Sequence, residues 1–185
     1  MNVQKIEKAA RNRLSEKRFR HTKGVADCAK KLADRYHADP DLAVAAGYLH
    51  DMEKEASLDQ MLELTKNLDL DEMTKSSRSL LHGPAGAEFA RKEFDIGDAI
   101  YDACFYHTTG KAGMTLLDKI ICLADYMEPS RNFEGVEEIR ALAETDLDLA
   151  LVKGLDSTIS FLIQKGQMIH PNTILARNDL LANKV

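Results

Sequence analysis

The chain has 185 residues, 44% of them hydrophobic and 30% charged, with a formal net charge of −5. That length suits one domain with a sizeable core. The lack of any 18-residue apolar run, and of an apolar signal core at the N-terminus, argues against a membrane partner or export and for a cytoplasmic location. The three cysteines, Cys28, Cys104 and Cys122, are odd in number, far apart and in apolar contexts, so they read as buried free thiols in a reducing compartment. Residues 1–23 carry eight Lys/Arg against two Glu, a local charge of +6 that leaves −11 for the remainder. The basic end can steer an anionic substrate. The acidic remainder argues against a nucleic-acid partner, which calls for a broad basic stripe.

Taken in order, the chain predicts helix after helix and no β-alternating run. Residues 3–14 form a short amphipathic segment with Ile6, Ala9, Ala10 and Leu14 on one stripe. Ser15 or a neighbour caps a second helix that runs to about residue 36, with Val25, Cys28, Ala29, Leu32 and Tyr36 at helical spacing. His21 lies four residues before Val25 and shares its inward stripe. Asp39-Pro40 ends this helix and opens a third, whose inner face is Leu42, Ala45, Ala46 and Leu49. His50-Asp51 stands at its C-terminal end. Further helices are predicted over 57–68, from about Leu80 to Phe94, and over 96–107, 114–127, 136–143, 147–165 and 174–182. Residues 66–78 read as polar loop with one helical turn. Helix 147–165 is open to two uses, core or a homodimer interface around Leu147 to Phe161.

Four polar residues fall on or beside the inward stripes of these helices: His21, His50, Asp51 and Asp125. One such residue is more often a hydrogen-bonded core group. Four together, two of them adjacent, point to a metal, because buried imidazoles and carboxylates are unfavourable unless paired or ligated. Two His and two carboxylates suit Fe, Mn or Zn better than Ca or Mg. His82 and His107 sit beside small residues and have two readings, ligands of a second ion bridged by Asp51 or direct contacts to substrate phosphate. Arg18 and Lys54 share helix faces with His21 and His50, and Arg131 follows the Asp125 helix. Cations so placed can offset charge on a transferring phosphoryl group. Gly83 and Gly86, costly inside a helix, predict the close approach of a ligand or of another helix.

The order His, His-Asp, distant Asp resembles the HD-domain superfamily of metal-dependent phosphohydrolases. The longer strings Arg18-Phe19-Arg20-His21-Thr22, His50-Asp51-Met52-Glu53-Lys54, Leu81-His82-Gly83-Pro84, Tyr106-His107-Thr108-Thr109-Gly110, Asp118 through Pro129 and His170-Pro171-Asn172-Thr173 resemble the bacterial YqeK family over roughly residues 15–178. The resemblance implies an all-α fold, a single HD-domain helical bundle over 1–185. Its metal and nucleotide core would span about 15–130, with C-terminal helices over 136–182 completing the pocket. It implies symmetrical hydrolysis of dinucleoside tetraphosphates by metal-activated water, diadenosine tetraphosphate giving two ADP, with iron as the metal. The alternatives are an HD hydrolase acting on another nucleotide or a non-catalytic metal-containing module. Carried over by position, His21, His50, Asp51 and Asp125 are the metal ligands, and Asp51, Lys54, His82 and His107 the catalytic set. Arg18, His21, Asp51, Lys54, His82, Thr108, Thr109, Asp125 and Arg131 face the phosphates or sugar. The segment His170, Pro171, Asn172, Thr173, Ile174 and Leu175 borders the nucleoside. Read without the resemblance, His170 to Thr173 is only a helix-entry turn, with Asn172 or Thr173 as cap.

Overall fold

The computed structural model describes residues 2–182, and every regular element among them is α-helical. In chain order the helices are α1 (Val3–Arg13), α2 (Glu16–Tyr36), α3 (Pro40–Leu49), α4 (Leu58–Leu64), α5 (Glu72–Ser76), α6 (Arg78–Phe94), α7 (Asp98–Phe105), α8 (Leu116–Met127), α9 (Val136–Leu142), α10 (Leu147–Gln164) and α11 (Pro171–Ala182). The starts are written in the sequence. Asn2, Ser15, Asp39, Ser57, Asp71, Thr115 and Asp146 each accept a backbone N–H of the turn they precede. Pro40 fits the first turn of α3, where no N–H is required.

The long helix α2 packs on α3 and α8, and α7 and α10 close around α8. Val25, Ala29, Leu49, Ile120, Ile121, Leu123, Leu151 and Leu155 are wholly buried between them. Each of the large side chains contributes about 1.5–3 kcal/mol by leaving water. A satellite cluster of Met61, Leu81 and Ala85 holds α4 against α6. Glycine sets the closest approaches. A Cβ on Gly47 would stand 2.6 Å from Ala26 Cα, so α3 lies directly on α2. A Cβ on Gly83 would stand 2.8 Å from the Phe105 carbonyl oxygen, so α6 lies directly on the end of α7. The cause predicted for Gly83 is therefore a neighbouring helix.

Several boundaries differ from the sequence reading, each for a local reason. Helix α4 stops at Leu64 because the Thr65 hydroxyl bonds back to the Met61 carbonyl at 2.9 Å and a turn follows. Helix α6 starts at Arg78, which places His82 in its second turn and fully buried rather than at a boundary. Helix α11 begins at Pro171, so Asn172 and Thr173 lie in its first turn and do not cap it. The cap is His170, whose Nδ1 accepts the Asn172 N–H at 3.2 Å and whose carbonyl accepts the Thr173 N–H at 3.0 Å. The first half of α10 is core, with Leu147, Ala150, Leu151 and Leu155 buried, while Phe161 is 54% exposed.

Candidate metal centre

Helix α3 ends at Leu49, and the chain then runs in tight i to i+3 turns, Met52 N–H to Leu49 O, Lys54 N–H to Asp51 O and Ala56 N–H to Glu53 O. The turn is pinned from outside. Glu55 accepts both the amide and the hydroxyl of Ser15, and buried Glu53 pairs with Arg13 at 2.5 Å. This tightening brings Asp51 to the middle of four imidazoles. The rings of His21, His50, His107 and His82 follow one another at centroid separations of 5.6, 4.9 and 4.8 Å. They come from α2, the end of α3, the turn after α7, and α6.

The two oxygens of Asp51 face different pairs. Its Oδ2 lies 3.6 Å from His21 Nε2 and 3.5 Å from His50 Nε2. Its Oδ1 lies 3.1 Å from His82 Nε2 and 3.7 Å from His107 Nε2. Asp125 joins the first pair, with Oδ1 3.1 Å from His21 Nε2.

The hydrogen bonds behind the rings fix which nitrogen is free. The Nδ1 atoms of His50, His82 and His107 point at the carbonyls of Gly47, Arg78 and Cys104 at 2.7, 3.3 and 2.7 Å. Carbonyls only accept, so each Nδ1 carries hydrogen and each neutral ring turns an Nε2 lone pair to the centre. Burial lowers the His50 pKa to about 3 and that of His82 to about 4, which keeps both neutral. The Nε2 atoms of His82 and His107 then meet at 2.9 Å. Burial opposes protonation of His21, but Asp125 and Glu128 outweigh it and raise its pKa. Burial also opposes ionisation of Asp51 and Asp125. The facing histidines, with Lys54 and Arg131 respectively, nonetheless hold both well below the usual carboxylate range.

A cation fits this arrangement. His21 Nε2, His50 Nε2 and Asp51 Oδ1 are buried without a hydrogen-bond partner, a costly state that ligation would relieve. Three groups of donors each converge within 4.8 Å: His21 with His50 and Asp51, His50 with His107 and Asp125, and Asp51 with His82 and His107. The three buried thiols stand apart from these groups. Cys104 and Cys122 donate to the carbonyls of Ala46 and His107, and burial raises the pKa of all three.

Cations rim the cluster. Arg18 Nη1 lies 2.8 Å from Asp51 Oδ2, Arg131 bonds the Asp125 carboxylate, and Lys54 Nζ lies 3.1 Å from His82 Nε2. The Thr108 hydroxyl reaches His107 Nε2 at 3.1 Å and also lines a cavity of about 590 Å³ with Leu80, Thr158, Leu162, His170 and Thr173. Thr109 and Asn172 line a neighbouring cavity of about 160 Å³ that also touches His170. Pro171, Ile174 and Leu175 are exposed and line neither of these two. Sequence reasoning missed Glu128, which lies behind His21 with its Oε1 2.9 Å from Nδ1. Its signal was its place at the end of α8, three residues after Asp125 and directly before Pro129.

Residues 18–130 match the HD domain family, and the chain belongs to it. It is 41% identical over 183 residues to the symmetrical bis(5'-nucleosyl)-tetraphosphatase of Halalkalibacterium halodurans, covering 98% of each chain. It is 39% identical over 184 residues to the Bacillus subtilis protein of the same name, covering 98% of this chain and 99% of that one. Among solved structures it resembles a predicted HD superfamily hydrolase involved in NAD metabolism from Clostridium acetobutylicum. The TM-score is 0.94 at 41% identity, covering 99% of this chain and 98% of that one. Among the described residues no helix is long and apolar enough to cross a membrane.

Proposed function

We propose that the protein is a symmetrical dinucleoside tetraphosphatase that cleaves diadenosine tetraphosphate into two ADP at this cluster. The observation that carries the reading is the meeting of buried, unpartnered nitrogen and oxygen donors with three cations at one place. The names of the near full-length relatives support the substrate. His21, His50, Asp51 and Asp125 hold the principal divalent ion. His82, His107 and Asp51 Oδ1 offer a second, weaker position. Iron is the metal inferred from the motif resemblance, with Mn or Zn compatible with the same donors. Such an ion supplies Lewis acidity and brings the pKa of bound water near neutrality.

The chain's own groups do the rest. Arg18, Lys54 and Arg131 hold the phosphates and offset the charge that develops on them. Arg18 and Arg131 are fixed in advance by their bonds to Asp51 and Asp125. The Thr108 hydroxyl gives its hydrogen to His107 Nε2 and lines the 590 Å³ cavity, where its lone pairs can accept from a sugar hydroxyl. The walls given by Leu80, Leu162 and Met168 suit a base, and His170 braces the entrance. Both nitrogens of His170 are engaged: Nδ1 accepts its cap bond, and Nε2 lies 3.2 Å from both Asp71 Oδ2 and Thr74 Oγ1, which holds the ring in place. The test is product analysis with metal-loaded protein and diadenosine tetraphosphate. ADP alone is expected, and AMP with ATP overturns the symmetrical reading. At equal loading, nucleoside mono- and triphosphates and cyclic nucleotides should be poorer substrates.

A further inference from the structure

Glu128 is 1% exposed and takes no part in the steps above. Its Oε1 faces His21 Nδ1 at 2.9 Å and accepts the Ser130 hydroxyl, and its Oε2 accepts the Ser130 N–H at 2.7 Å. Its carbonyl accepts the Arg131 N–H and an Arg140 Nη2 hydrogen, both at 2.9 Å. The space it occupies is kept open by Gly24, where a Cβ would stand 2.7 Å from Oε2. We propose that Glu128 is a positioning residue that serves two parts of the centre, holding His21 as an ion donor and seating Arg131 on Asp125.

An ionised carboxylate only accepts, so Oε1 requires hydrogen on His21 Nδ1 and directs Nε2 toward Asp51 and Asp125. The three other imidazoles lean on backbone carbonyls, which no side-chain substitution removes. His21 alone among them leans on a carboxylate, a stronger acceptor that also makes the ring a better donor. The second function follows from Ser130. Two bonds to Glu128 close the turn between α8 and Arg131, and the next residue then delivers its guanidinium to the Asp125 carboxylate and carbonyl. A cap for that turn would account for the Ser130 bonds but leaves the His21 contact without a reason.

The proposal rests on the reading of His21 as a ligand, and the experiment separates the two. Metal-free full-length protein is titrated with Co(II) against a competing chelator, and the visible absorption of the bound ion is recorded. Glu128→Ala should weaken Co(II) binding about 10- to 100-fold and alter the spectrum. Glu128→Gln, whose Oε1 can still accept from Nδ1, should fall between it and wild type. Ser130→Ala should keep wild-type Co(II) affinity and raise KM for diadenosine tetraphosphate. Wild-type affinity and spectrum in a folded Glu128→Ala protein would overturn the proposal. If that variant does not fold, the same result in Glu128→Gln does so. Equal weakening in Ser130→Ala and Glu128→Ala would reduce Glu128 to a turn cap and overturn it as well. His21→Ala with unchanged Co(II) affinity would remove His21 from the ligand set and both readings with it. Weakening in His21→Ala with none in the Glu128 variants sinks the positioning proposal alone.

Discussion

The two sides of the Asp51 carboxylate differ in how their histidines are satisfied. On the Oδ2 side, His50 Nε2 has no hydrogen-bond partner, and His21 Nε2 faces only carboxylate oxygens, the nearest being Asp125 Oδ1 at 3.1 Å. On the Oδ1 side, His82 Nε2 has the Lys54 ammonium at 3.1 Å and His107 Nε2 has the Thr108 hydroxyl at 3.1 Å. A lone pair with no donor is costly to bury, so the first side gains most from a bound ion. On the second side the imidazoles themselves have donors that an ion must displace, whereas on the first the donors, Arg18 and Arg131, sit on the carboxylates. Nearly equal sets of donors can thus differ in affinity, decided by what the protein itself supplies to each.

The severest test removes what both sides share. Asp51→Asn halves the carboxylate charge of the first position and removes that of the second. It should abolish bound metal in the purified protein and lower kcat/KM by at least about 10³-fold, more than the loss of a single preorganised donor. Metal retained at the wild-type ratio would break the comparison outright. Single-sided variants come next. His50→Ala should empty the first position, and His82→Ala should leave one tightly held ion. Elemental analysis after dialysis decides between them, and equal metal loss in both would make the two sides equivalent.

Titration without metal probes the same asymmetry by another route. His50 and His82 have folded pKa values of about 3 and 4, below the ordinary 6.5. The unfolded chain therefore binds their protons first as pH falls, and their stabilisation is present above 6.5 and lost below it. The loss should approach about 1.4 kcal/mol per pH unit for each, down to about pH 4. His21 has the opposite sign. Its pKa is raised, so its contribution is full below 6.5 and is lost as pH climbs through the folded value. The melting temperature of the metal-free protein should thus fall on the acid side of 6.5, and saturating metal, which requires unprotonated imidazoles, should raise it most above 6.5 and steepen the fall. A melting temperature that does not move between pH 6.5 and 4 would contradict the neutral, buried imidazoles.

Much of this architecture is legible in the residues. His21 shares a stripe with Val25 and Cys28, and Asp125 shares one with Leu117 and Ile121, so helical period alone turns both inward. Ser15, Asp39-Pro40 and Thr115 announce helix starts by their own chemistry. The parts that stayed hidden depend on which ring nitrogen turns back to a local carbonyl, on contacts between helices and on an uncommon cap. Nothing in the string around His82 says that its Nδ1 meets the Arg78 carbonyl, or that its Nε2 meets His107 from another helix. His170 as the cap of α11 was hidden because imidazole is not among the usual capping side chains. Arg18 and Arg131 were legible as cations. Their anchoring on the very carboxylates proposed as ligands requires the fold.

The smallest expected effect isolates Lys54, the residue that makes the Oδ1 side differ. Its Nζ lies 3.1 Å from His82 Nε2 and 3.9 Å from Asp51 Oδ1, so an ion held by those atoms must meet or move the ammonium. Lys54→Met keeps most of the buried stem and deletes the charge. Removal of a cation beside a cation site should tighten the second ion by about tenfold, a coupling of about 1.4 kcal/mol. The first ion, on the far oxygen, should change far less. At the same time kcat should fall, because the phosphate loses a compensating charge. Tighter second-ion binding with slower turnover is a pairing that a purely structural lysine does not produce. Unchanged affinity at the second position would show that Lys54 and the ion do not share those lone pairs, and the difference between the two sides would then lie in the imidazoles alone.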